Sequence, residues 1–183
     1  MRKGDKTIGL RQLQHAIEHS TYLKVEALMF MSFIQLKYEL NMESALKYAA
    51  RLHNAYPENI YYRSHYIIVL LHHGDFSMAE SLLNDIPANR DTFSLMLISL
   101  CEGFLQEQKY GSYVRARSYY LKGLEMAEKL GDFGDLYKAI AYMGLSRISG
   151  SENDEPMEKK YRRKAKSLTN YPFILSETGS GPR

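Results

Sequence analysis

The chain has 183 residues, of which 45% are hydrophobic and 25% charged, and it carries a net charge of +3. That balance excludes a low-complexity disordered chain, and the small charge gives no field that would select nucleic acid or a membrane surface as partner. The single cysteine, Cys101, excludes an intramolecular disulfide and a cysteine-based zinc site.

The longest apolar stretches, Ala27–Leu36 and Tyr66–Leu71, fall short of the roughly 18 residues of a membrane span. The basic start, Met1 to Lys6, leads into no apolar signal-peptide core. The expected compartment for the chain as it stands is the cytoplasm, or an exported one if a signal peptide lies upstream. Fifteen tyrosines and no tryptophan suit half-buried helix seams, where the ring packs and the hydroxyl stays wet.

In chain order, Thr7–Ser20 reads as a lead-in helix with the stripe Leu10, Leu13 and Ile17. One helix alone cannot bury that face, so it is expected to pack on the first helical pair after it. Tyr22–Tyr38 reads as a helix apolar on more than one side, through Leu28, Met31, Phe33, Ile34 and Leu36. Glu43–Ala55 is its partner, with Ala45, Ala49 and Leu52 on one face, and Tyr56-Pro57 ends it. Glu58–His72 and Phe76–Asp85 form a second pair around Gly74, with Asp75 expected to cap the second helix. Pro87 is expected to stop that helix, and Asn89-Arg90-Asp91 to form a loop with a cap at Asp91.

A third pair is expected over Thr92–Gln108 and Tyr113–Leu130, closed by Gly131-Asp132. Phe133–Ile148 opens a fourth. Gly150–Glu155 reads as a loop, and Met157–Leu168 as the last helix, with Pro156 in its first turn. Ser176–Arg183 reads as a frayed tail.

The first two pairs share a register of 34 residues: Leu36 falls on Leu70, Asn41 on Asp75, Met42 on Phe76, Ala45 on Ala79 and Leu52 on Ile86. A 34-residue helix–turn–helix period with this pattern of small and large residues resembles the tetratricopeptide repeat family. The resemblance covers about residues 22–172. The family's tryptophan is replaced by Met29 and Arg63, and its Leu-Gly glycine by Phe33 and Ile67. From Ala79 to Ala116 the spacing is 37, so the third unit departs from the period.

The resemblance implies an all-α, right-handed α-α superhelix of about four antiparallel hairpins behind an N-terminal helix. The corresponding division is 1–21 for the lead-in helix, repeats near 22–57, 58–90, 91–131 and 132–172, and a flexible 173–183. It also implies a concave groove lined by the first helix of each pair. On this sequence the groove residues would be Phe30, Ile34, Lys37 and Tyr38, then Tyr61, Ser64, Ile68 and His72, then Ile98, Glu102 and Gln106. The cationic clamp with which some family members take a carboxylate terminus is missing, because Phe30 and Ile34 hold that face.

Three other constellations bear on chemistry. His15-Ala16-Ile17-Glu18-His19 matches the H-x-x-E-H string of a zinc peptidase, but no second element supports it, and a polar helix face accounts for it. His65, His72 and His73 lack the one-turn spacing and carboxylate of a metal pair and read as groove or seam residues. Lys159–Lys166 has six basic residues in eight, and reads as the polar outer face of a terminal helix rather than a phosphate site.

No nucleophile elbow or phosphate loop appears. The expected function is a non-catalytic scaffold that binds a protein or peptide segment, without cofactor or metal; self-association stays open. The alternative is a regulatory or sensor part of a larger enzyme or DNA-binding protein.

Overall fold

The computed structural model describes residues 5–86 and 91–175. It is all-α, and no strand occurs among the described residues. The chain divides into two compact units, Met1–Val69 and Leu70–Arg183.

The first unit holds α1 (Lys6–His19), α2 (Lys24–Ile34), a π-helical turn (Gln35–Glu39), α3 (Met42–Ala55) and most of α4 (Ile60–His73). Asp5 opens α1 by accepting the Ile8 amide at 3.1 Å. The stripe expected on this helix turns inward. Ile17 is fully buried with Ala27, Leu28, Met31 and Leu52, and Leu10 and Leu13 pack against that cluster. Each Leu or Ile so buried contributes about 1.5–3 kcal/mol.

The helix expected from Tyr22 instead starts at Lys24, after a bend in which Ser20 Oγ accepts the Leu23 amide at 2.9 Å. It does not run on as one α-helix to Tyr38. Its last turn widens, and Asn41 N donates back to Gln35 O at 2.9 Å across Leu40, which sits left-handed at φ 54°. Asn41 then caps α3 by accepting the Ser44 amide at 3.0 Å.

The second unit holds the end of α4, then α5 (Phe76–Asn84), α6 (Thr92–Gln108), α7 (Tyr113–Glu128), a 3-10 turn (Gly131–Gly134), α8 (Asp135–Ser151), α9 (Glu155–Leu168) and α10 (Pro172–Leu175). Helix α6 packs on α7, α7 on α8, and α8 on α9. Leu70, Met96, Leu97, Leu105, Tyr120, Met143, Leu145 and Ile148 are among the large side chains fully enclosed there.

Gly74 makes the α4–α5 turn at φ 98°. Asp75 follows it but does not cap α5 as expected; its carboxylate pairs with His73 Nδ1 at 2.9 Å instead. The neighbouring imidazole outcompetes the helix amides. Asp91 does cap α6, accepting the Ser94 amide at 2.7 Å.

The loop expected at Gly150–Glu155 is shorter, because α8 continues through Ser151. The left-handed residue there is Asn153, at φ 62°, and Gly150 is helical. Its missing side chain leaves room for the Glu158 carboxylate. Residues 173–175, assigned by sequence to the tail, belong to α10, with Phe173 and Ile174 buried. The expectations for Pro87, Asn89-Arg90 and Ser176–Arg183 lie outside the described residues.

The residues expected in the hairpin seams, Leu36, Ala45, Leu52, Leu70, Ala79 and Ile86, are all buried.

Candidate functional site

In the first unit, Phe30, Ile34 and Tyr38 recur at intervals of four residues along α2 and its π turn. Phe30 is 58% exposed, Tyr38 61% and Tyr61 54%. Ile34 and Ile68 are half-buried. Lys37 lies over the Phe33 ring with Nζ 4.5 Å from the centroid, and burial holds its pKa below the usual lysine value. Ser64, expected to line the groove, is buried and donates to Ile60 O of its own helix.

Behind this face is a polar seam that the sequence did not announce. Ser32 Oγ donates to Ala45 O at 2.9 Å and sits 2.7 Å from His65 Nε2. With the hydroxyl proton committed to Ala45, His65 Nε2 donates its own proton to Ser32. Burial, followed by the charge of Lys37, pushes the His65 pKa down to about 3. His65 is therefore a neutral staple joining α2, α3 and α4.

In the second unit, His72 does not stand open. Its ring centroid is 5.3 Å from that of Phe104 and 5.3 Å from that of Phe173. Burial, followed by the charge of Arg147, lowers its pKa to about 4. Ile98, Glu102 and Gln106 are half-buried on α6. Burial, then the charge of Glu80, raises the Glu102 pKa. Gln106 Oε1 is buried without a hydrogen-bond partner among the described residues.

A second buried network was equally hidden in the sequence. Arg147 Nε donates to Glu107 Oε1 at 2.6 Å and Nη2 to Oε2 at 2.8 Å, while Tyr120 OH donates to Glu107 Oε2 at 2.7 Å. Burial pulls the Arg147 pKa down, but the bonds to Glu107 and the charges around it outweigh that and hold it above the usual range. Burial and the charge of Glu107 raise the Tyr120 pKa. The sequence signal was a pair of glycines inside helices, Gly103 and Gly144, which often marks close packing. Here they flank the Tyr120 ring.

The remaining candidates separate spatially. His15 and His19 lie on the exposed side of α1 with ring centroids 4.5 Å apart and planes tilted by 48°, and Glu18 is 3.7 Å from His19. Among the described residues, no three His, Cys, Asp or Glu side chains converge as a metal cage. Cys101 is buried, and burial and the charge of Glu102 push its pKa up to about 12, which leaves the thiol unreactive.

On α9, Lys159 pairs with Glu155 and Arg162 with Glu158, and Lys164 lies 4.9 Å above the Tyr142 ring. No helix among the described residues is long and apolar enough to cross a membrane. What the two units offer chemically is apolar and aromatic surface over polar seams whose donors and acceptors are largely satisfied from within. No protein-family model matches the chain, and no curated protein matches it.

Proposed function

We propose that the protein is a non-catalytic interaction module that takes a peptide or protein segment of another molecule on the aromatic face of its first unit. The observation that carries this is the exposure of Phe30 and Tyr38, two turns apart on one side of α2 and its π turn with Ile34 between them. Large rings held open at helical spacing gain free energy when a partner covers them, and such anchors supply most of the binding energy of an interface. The π turn and the left-handed Leu40 that follows it present Tyr38 at the end of the strip, and such irregular turns concentrate at functional positions.

Lys37 is drawn down onto Phe33, so the strip is not governed by charge. Binding is therefore expected to be apolar and to weaken little in moderate salt. The test is affinity capture from the native organism with the wild-type chain and with the Phe30→Ser/Tyr38→Ser variant. Loss of a co-eluting protein at unchanged melting temperature and mass supports the proposal. A lowered melting temperature, or a dimer that becomes monomeric in light scattering, would assign the strip to folding or self-association.

A further inference from the structure

His15 and His19 stand one turn apart on α1, and both are exposed. Their ring centroids are 4.5 Å apart. Two imidazoles bound at a right angle to one metal, with nitrogen–metal bonds of about 2.0–2.1 Å, have centroids about 4.5 Å apart. A tetrahedral angle widens that to about 5 Å, which a small rotation of either ring reaches. The rings are already spaced as a chelate on one helix face needs.

The surroundings supply what a metal-bound imidazole needs behind it. Glu18 Oε2 lies 3.7 Å from His19 Nε2. That carboxylate favours the tautomer with the proton on Nε2, which leaves Nδ1 as the metal donor. Glu18 is itself held. Gln14 Nε2 donates to its Oε1, and Tyr48 OH donates to Gln14 Oε1 at 2.9 Å. Tyr48 belongs to α3, so this relay ties the carboxylate to the body of the first unit. His19 is also the last residue of α1, where the carbonyl end of a helix favours positive charge.

We propose that His15 and His19 form a two-point surface site for a divalent metal that prefers imidazole, Cu2+ ahead of Ni2+ and Zn2+. Water completes the coordination, and Glu18 acts behind His19 rather than on the ion. Mg2+, which takes oxygen donors, is not held. The site does not make α1 part of a peptidase. A hydrolytic zinc keeps three protein ligands, and no third His, Cys, Asp or Glu converges with these two among the described residues.

The test is isothermal titration of the full chain with CuCl2, NiCl2 and MgCl2 in a non-coordinating buffer. The wild-type chain should take up one Cu2+ that the His15→Gln/His19→Gln variant does not. Either substitution alone should weaken that site at least about tenfold. His73→Gln removes a histidine that stands beside Asp75 and should leave the affinity unchanged. Electron paramagnetic resonance of the wild-type chain with one equivalent of Cu2+ should show two nitrogen ligands that the double variant lacks.

Equal Cu2+ uptake by wild type and double variant, the same spectrum from both, or uptake of Mg2+ at this site would overturn the proposal. Both histidines are on the surface of α1, and an unchanged circular dichroism spectrum confirms that each variant is folded. Phe30 and Tyr38 are the same in every arm, so capture of a partner on the aromatic strip stands or falls separately.

Discussion

The Tyr120 ring fills the space that a side chain on Gly144 would need: a Cβ built there overlaps Cε2 and Cζ of the ring. On another helix a Cβ at Gly103 would stand 2.9 Å from Tyr120 Cδ1. The ring cannot retreat, because its hydroxyl is held by Glu107. Gly144→Ala should therefore destabilise by about 1–3 kcal/mol despite the better helix propensity of alanine. Gly9, in α1, has nothing within 4 Å of its Cβ position. Gly9→Ala should stabilise by about 0.5–1 kcal/mol. Urea denaturation of the two variants checks the opposite signs.

Leu40 holds a left-handed conformation with its side chain half in water. The conformation costs a non-glycine residue roughly 1–2 kcal/mol. Glycine removes that cost but has more unfolded-state freedom to lose, about 0.5–1 kcal/mol. Leu40→Gly should leave a net gain of about 0.5–1 kcal/mol. A loss in thermal melting would mean that Leu40 packs on something that outweighs its strain.

Removing Arg147 leaves the buried Glu107 carboxylate without its cation. Arg147→Met should cost about 3–5 kcal/mol. Arg147→Met combined with Glu107→Gln should recover a large part of that, since no charge is then stranded. A double-mutant cycle measures the coupling, and additive losses would show that the pair acts independently.

The two buried histidines make stability depend on pH. Their folded-state pKa values, about 3 for His65 and about 4 for His72, lie below the ordinary value of 6.5. Below 6.5 the unfolded chain takes up protons that the folded one refuses. Stability held above about pH 6.5 is therefore lost as pH falls toward about 4, by up to about 1.4 kcal/mol per pH unit for each histidine. His65→Gln and His72→Gln should each flatten this slope, whatever they do to stability at neutral pH. Chemical denaturation at about pH 7, 6 and 5 reads the slope directly.

The basic run on α9 pairs Lys159 and Arg162 with carboxylates one turn earlier, at partly exposed positions. Arg162→Gln/Arg163→Gln should change stability by no more than about 1 kcal/mol. Binding to DNA, RNA or anionic vesicles that fades with salt and disappears in this variant would make the helix an anion site.

Which stretches are helical, and which of their faces leave water, was written locally in the chain. The burial of Ile17, Ala45, Leu52 and Ala79 follows from periodicity, because a helix repeats its faces every 3.6 residues whatever lies opposite. The cap at Asp91 was legible for the same local reason: its acceptor and the Ser94 amide are three residues apart.

What each inward side chain meets was settled by the packed fold. Asn41 and Asp75 share a register position, yet Asn41 caps its helix and Asp75 turns to His73. Glu107 and Arg147 are 40 residues apart, and the glycines near them, Gly103 and Gly144, mark close packing without saying which charges pair. Phe173 and Ile174 looked like part of a tail because the turn that holds them, Pro172–Leu175, is too short to show a helical period. Only α8, against which they lie, turns that segment into structure. Local rules act within a turn or two of chain, whereas pairing of buried charge and seating of a short segment depend on which surfaces the folded chain brings together.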